Sequence, residues 1–194
     1  MKQIKQQQSG FALLMALIVV GVVVSVGLTI LDLTIKQLNL STNSKDSEIA
    51  LHASNAGLEC AQYWRFKEAT KLESGQDVSI ECFNVTKSNV SVTGTDRDLS
   101  SGGSVYEYNF EFDWGEVGAE RCSKIKMLMF ASDVDSAGAT LDNISSVVLG
   151  YPSGSSKTCD SGGRCAVISV QGYNKTCGNI GSFGTIQREV LLES

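Results

Sequence analysis

The chain has 194 residues, 42% hydrophobic and 19% charged, with a net charge of −5. That is too apolar for a disordered chain and large enough for one domain with a real core, though hardly for two. The acidic balance gives no general attraction for nucleic acid, and no nucleic-acid partner is expected.

Met1–Gly10 is short, polar and basic, with Lys2 and Lys5. An uncharged apolar run, Phe11–Leu31, follows at once. As a helix it would measure about 32 Å, enough to cross a bilayer core. A secretory signal has a shorter apolar core, and Leu28-Thr29-Ile30-Leu31-Asp32 makes a poor cleavage site. A plain anchor fits the length. The two lysines would then leave the N-terminus in the cytoplasm and the rest of the chain outside. Gly21 and Gly27 read as ordinary membrane-helix glycines.

Beyond the run, Asn39–Ser44 is rich in short polar side chains that compete for backbone hydrogen bonds. A bend or a fresh N-cap is expected there. Helical spacing then resumes, with Ile49, Ala53, Ala56, Cys60 and Trp64 on one face and Lys45, Glu48, Asn55, Glu59 and Gln62 opposite. This amphipathic half should lie against the globular part, where its small residues would permit a close approach to a sheet. One helix from Phe11 to Phe66 would span about 84 Å.

After residue 75 the period becomes two. Tyr106, Tyr108, Phe110, Phe112 and Trp114 alternate with Val105, Glu107, Asn109, Glu111 and Asp113. The pattern predicts a half-buried strand with its aromatic side in the core. Further strands are expected over Val78–Val85, Ser88–Thr93, Ile125–Ala131, Ser146–Gly150, Cys165–Gly172 and Thr185–Leu192. Turn-rich clusters such as Ser100–Gly103 and Ser153–Ser156 separate them. A helix followed by a run of strands gives an α+β fold, a long N-terminal helix (transmembrane half plus amphipathic half) on an antiparallel sheet. The segments are then 1–10 (leader), 11–31 (transmembrane), 32–66 (amphipathic extension) and 67–194 (β-rich domain).

Six cysteines, Cys60, Cys82, Cys122, Cys159, Cys165 and Cys177, all follow the apolar run. Their even number and exported setting point to disulfides. Cys159–Cys165 is the one pairing expected, since it would staple a Gly- and Ser-rich loop. No zinc site is expected, because no Cys-x2-Cys pair exists and His52 lies far from the later cysteines. His52 is also the sole histidine, so nucleophile–base triads would rest on one residue inside a helix. No strand-to-helix phosphate loop is present, and the chain is not read as an enzyme or as needing a cofactor. Asp133-Val134-Asp135-Ser136 looks like the start of a calcium loop but lacks the downstream Glu. Sequons at Asn84, Asn89, Asn143 and Asn174 are short patterns common in Asn- and Ser-rich chains.

The placement of Gly10-Phe11 is more specific. A Gly-Phe pair at the border between a basic leader and an apolar run resembles the prepilin leader of type IV pilins and type II secretion pseudopilins. With the Ala-rich stretch from Ala50 to Trp64, the first 65 residues or so are most similar to PilX-type minor pilins. The resemblance implies cleavage between Gly10 and Phe11 by a prepilin peptidase, with methylation of Phe11. It implies a pilin-like fold in which the helix, including Leu14, Leu17, Val20, Val24 and Leu28, packs against other pilins in a filament core and in the membrane beforehand. Burial of helix surface would drive this at ~25 cal/mol per Å². Most of the family carries Glu four residues after the new N-terminus. Met15 stands there, which favours a minor over a bulk subunit. The alternative is a membrane-anchored binding or adhesion module, with its ligand site on the loops Gly150–Gly163 and Thr176–Gly184.

Overall fold

The computed structural model describes residues 7–94, 105–131, 138–148 and 151–194. The expected strand Ser146–Gly150 falls partly outside them, and Asp133–Ser136 and Ser100–Gly103 do so entirely. The chain divides into two compact units, Met1–Lys45 and Asp46–Ser194.

From Gln7 on, the first unit is helical and belongs to helix α1, Gln7–Lys67, in which no fresh N-cap forms at Asn39–Ser44. The Thr42 hydroxyl there turns back onto the helix instead of competing with it. Thr42 Oγ1 donates to Leu38 O at 2.9 Å. Ser25, Thr29 and Thr34 do the same to Val22, Val26 and Ile30. Each hydroxyl is thereby satisfied within the helix, as an apolar surrounding requires. Side chains from Phe11 to Leu40 are exposed.

The second unit is α+β. A short helix α2 (Ala69–Glu73) follows α1. Strands β1 (Val78–Cys82) and β2 (Val85–Val90) form a hairpin. The main sheet has five strands in the order β3-β4-β5-β8-β9, all neighbours antiparallel. These are β3 (Val92–Gly94), β4 (Val105–Trp114), β5 (Arg121–Ala131), β8 (Arg164–Tyr173) and β9 (Gln187–Glu193). β6 (Ala139–Leu141) and β7 (Lys157–Cys159) make a second small hairpin.

One sheet face packs on α1 and α2. Tyr108, Phe110 and Phe112 from β4, Ile125, Met127 and Met129 from β5, and Ala166, Ile168 and Val170 from β8 join Cys60, Ala61, Trp64 and Leu72 in one core. The aromatic alternation of β4 is therefore core, as its period predicts. Tyr108 is fully buried, and its hydroxyl bonds to Leu72 O and Gln76 O. Burial, chiefly, pushes that phenol up to about 12.

The buried stripe of α1 is Ala50, Ala53, Ser54, Gly57, Cys60, Ala61 and Trp64. Ile49 and Ala56, expected on it, are only half-buried at its flank. The stripe is set by Gly57 and Gly172, where helix and sheet come closest. A Cβ at Gly172 would lie 2.2 Å from both Ala50 O and Ser54 N. Ser123 Oγ donates to Ala53 O at 2.7 Å and accepts from Trp114 Nε1 at 2.8 Å. That bond ties the helix to β5 at the point of contact.

On the other face, Val105, Leu128, Phe130 and Val167 are covered by Ala139, Leu141, Ile144, Val147, Val148, Tyr151 and Cys159. The segment expected as the strand Ser146–Gly150 instead begins as a single 3₁₀ turn, Ile144–Ser146, and turns on through Val148. Its apolar residues cap a sheet rather than pair with one, so burial and not β-pairing accounts for them. The expected strand Val78–Val85 is the β1 strand, the hairpin turn and the first residue of β2. Phe83 and Asn84 sit at φ 57° and 60°, the conformation of a two-residue hairpin turn. Phe83 is held there by stacking on Trp114, with ring centroids 4.6 Å apart. Likewise Ser88–Thr93 divides at Ser91 into β2 and β3. Asn84, Asn89 and Asn143, three of the sequon asparagines, are all left-handed. Asn tolerates that backbone well, which gives each a local structural use.

All six cysteines pair: Cys60–Cys82, Cys122–Cys177 and Cys159–Cys165. The expected staple is present, and the other two pairs join elements distant in sequence. Cys60–Cys82 ties α1 to β1, and Cys122–Cys177 ties β5 to the loop before β9. Their sequence separations are 22, 55 and 6. Loop-closure entropy then ranks the losses at ~3.4, ~4.2 and ~2.2 kcal/mol. Replacing Cys122 and Cys177 together by serine should lower the denaturation midpoint most, and replacing Cys159 and Cys165 least. Urea melts of the three double variants would check this order.

Candidate functional site

Two surfaces stand out. The first is the helical surface of the N-terminal unit. Leu14, Leu17, Val20, Val24 and Leu28 are exposed by 53–65%. So are their neighbours on every side, among them Phe11 at 66% and Val23 at 64%. The apolar band runs round the helix rather than along one face, so exposure does not single out an assembly stripe. The helix is long and apolar enough to cross a membrane, with a mean hydropathy of 2.9 in its most apolar window and none of that window buried. Gly10 lies within α1, immediately before this band. Asp32 and Lys36, paired at 2.9 Å, are the first charges beyond it.

The second surface is a groove of about 370 Å³ on the sheet face away from α1. Its floor is two cross-strand rows. Glu111 (β4) stands opposite Lys124 (β5), which stands opposite Gln171 (β8). Asn109, Lys126 and Ser169 form the next row. Val147 and Val148 make one wall. Lys126 is held firmly, its Nζ donating to Val147 O at 2.8 Å beside Glu107 at 3.7 Å. Among the described residues Lys124 pairs only with Glu111, at 3.3 Å. Ser169 Oγ donates to Glu189 Oε1 at 2.5 Å, and the Tyr173 hydroxyl donates to Gln171 Oε1 at 2.9 Å. Burial, with Glu189 and Glu111 nearby, raises the Tyr173 phenol.

The period of β4 placed Asn109 and Glu111 on a solvent face, but nothing in it marked a groove. Lys124 and Lys126 alternate with Ile125 and Met127, which was the available signal on β5. The opposing polar pair on β8, Ser169 and Gln171, sits in a strand read only as a strand.

The other expected site residues fall as follows. The six cysteines carry no thiolate, because all are oxidised to disulfides. Glu111, Cys122 and Cys177 come within 4.8 Å of one another, yet sulfurs bonded to each other are not metal ligands of the thiolate kind. His52 is exposed on α1, its Nε2 3.6 Å from Glu48 Oε1. In the loop Thr176–Gly184, Phe183 is fully exposed, while Lys175 donates to Ser182 Oγ and to Phe183 O. In the other loop Tyr151 is buried and its hydroxyl bonds to Glu193. No described residue of either loop lines the groove.

Comparison with protein-family models, with curated proteins and with solved structures returned no match.

Proposed function

We propose that the chain is a minor pilin or pseudopilin, a structural subunit of a type IV pilus or a type II secretion-like filament. The observation that carries this reading is the exposed apolar stretch of α1 that begins at Phe11, directly after Gly10. An α-helix apolar on all sides, with its hydroxyls internally bonded, is soluble only in lipid or among other apolar helices. A filament core supplies the second setting and a membrane the first. The antiparallel sheet carried on the second half of the same helix supports the pilin-like reading, as does Met15 its minor-subunit form. In this scheme the N-terminus lies in the cytoplasm and the disulfide-bonded domain outside, where thiols oxidise. Leu14, Leu17, Val20, Val24 and Leu28 contact other pilins after prepilin peptidase has removed Met1–Gly10.

The test is mass spectrometry of the protein recovered from cells with an active prepilin peptidase. A chain beginning at methylated Phe11 is expected. A chain that keeps Met1–Gly10 under those conditions rejects the reading. The second reading is an anchored binding module that joins no filament. The polar groove favours it, and it requires an intact leader.

A further inference from the structure

We propose that the groove on the open sheet face binds a saccharide bearing a carboxylate, with Lys124 and Gln171 as the contacts for the acid group. The inference stands whether or not the leader is cleaved, since the groove lies wholly within the Asp46–Ser194 unit.

The reasoning starts from which groups in the groove have bonding capacity left. An ammonium carries three donors. Lys126 gives one donor to Val147 O and lies 3.7 Å from Glu107, contacts that fix it against the wall, where it adds positive field. Lys124 has one acidic neighbour, Glu111, at 3.3 Å, and is about one-third exposed. Gln171 takes the Tyr173 hydroxyl on its carbonyl oxygen, which leaves its amide N–H pair for a ligand. Antiparallel neighbours lie about 4.8 Å apart, so these two donor groups rise from adjacent strands within reach of one carboxylate. A charge-assisted bond from Lys124 and a neutral one from Gln171 would hold its two oxygens.

Acceptors flank this pair. Asn109 uses its amide nitrogen on Thr93 Oγ1 at 2.8 Å and Glu107 Oε1 at 2.9 Å. That leaves its carbonyl oxygen as an acceptor. Glu111 contributes a second carboxylate oxygen beyond the one near Lys124. Donors beside acceptors over two rows, spaced about 7 Å along the strands, suit a ligand that has both an anion and hydroxyls. Hydroxyls donate to Asn109 and Glu111 while the acid group meets Lys124 and Gln171. A bare phosphate would satisfy the donors but set more charge than a carboxylate against Glu111, and it has no array of hydroxyls to span both rows. A neutral sugar would leave the Lys124 charge without a partner gained. An apolar ligand would strand the whole floor. The volume accommodates one sugar ring with its substituents, and Val147 and Val148 offer an apolar wall for its C–H face.

The test uses the full chain in detergent micelles, titrated calorimetrically with glucuronate, glucose and acetate. Glucuronate should bind saturably and more tightly than either of the others. Added salt should weaken it, because the Lys124 contact is screened. Lys124→Gln should reduce glucuronate affinity about tenfold or more, and Gln171→Ala by several-fold, each with an unchanged circular dichroism spectrum. Glucuronate binding no better than acetate would overturn the proposal. So would glucuronate affinity untouched by both substitutions. If Lys124→Gln fails to fold, the Gln171→Ala titration decides alone.

Discussion

Gly172→Val is expected to abolish cooperative folding of the Asp46–Ser194 unit. The added Cβ would lie 2.2 Å from Ala50 O and 2.2 Å from Ser54 N, with the Ala53 carbonyl carbon at 2.8 Å. All three are main-chain atoms of α1, which cannot rotate aside as a side chain can. Ordinary overpacking costs about 1–3 kcal/mol. Here relief requires the helix itself to withdraw. Withdrawal breaks the Ser123–Ala53 bond, worth about 1 kcal/mol, and uncovers Ala61 and Trp64 at about 25 cal/mol per Å². The combined loss approaches the whole stability of a domain, about 5–15 kcal/mol. Gly57→Ala makes the informative comparison. Its Cβ would meet Val170 Cγ1 at 2.7 Å and Ser123 Cβ at 3.0 Å, both side-chain atoms. A partial drop in the urea midpoint is expected there, against no folded baseline for Gly172→Val. A Gly172→Val protein as stable as its parent would show that α1 does not lie this close to β8.

Under the proposed filament role, Val24→Arg should separate anchoring from assembly. An arginine at the centre of a membrane helix costs about 2.5–3.5 kcal/mol on insertion, while each Leu, Ile, Phe or Val returns about 0.3–0.6. Phe11–Leu31 holds enough such residues to carry one arginine, whose long side chain can also reach toward the headgroups. The variant should still sediment with membranes. Packing against neighbouring helices is less forgiving, since an unpaired charge buried between them costs several kcal/mol. The variant should therefore vanish from sheared filaments while its membrane level holds. Recovery of Val24→Arg in filaments at the parental level would remove the helix from the filament core.

The aromatic face of β4 was legible, because a period of two over ten residues leaves one arrangement for five aromatic side chains; its opposite face was not, since Val105 is buried in the second core and Asn109 and Glu111 line a groove. The apolar run of α1 was legible for the same reason of pattern and length. Phe83 was not. An aromatic residue in a β-rich stretch reads as strand interior, and only its stacking on Trp114 accounts for a turn with φ above zero at that position. Asn39–Ser44 was misjudged in the opposite sense. Propensity pointed to a bend or a fresh N-cap; no fresh cap forms, and the Thr42 hydroxyl bonds back onto the helix it was expected to interrupt.

Sequence by itself determined the α+β class, the exposed greasy helix, the aromatic core strand and the Cys159–Cys165 staple, all of which depend on neighbours in the chain. Tertiary structure alone decided the Cys60–Cys82 and Cys122–Cys177 pairs, the rotation of the α1 contact face onto Gly57, and the meeting of Glu111, Lys124 and Gln171 in one row. The row depends on register between strands, where a single-residue slip would send its side chains to the opposite face, while the disulfides and the α1 face depend on how distant elements pack together.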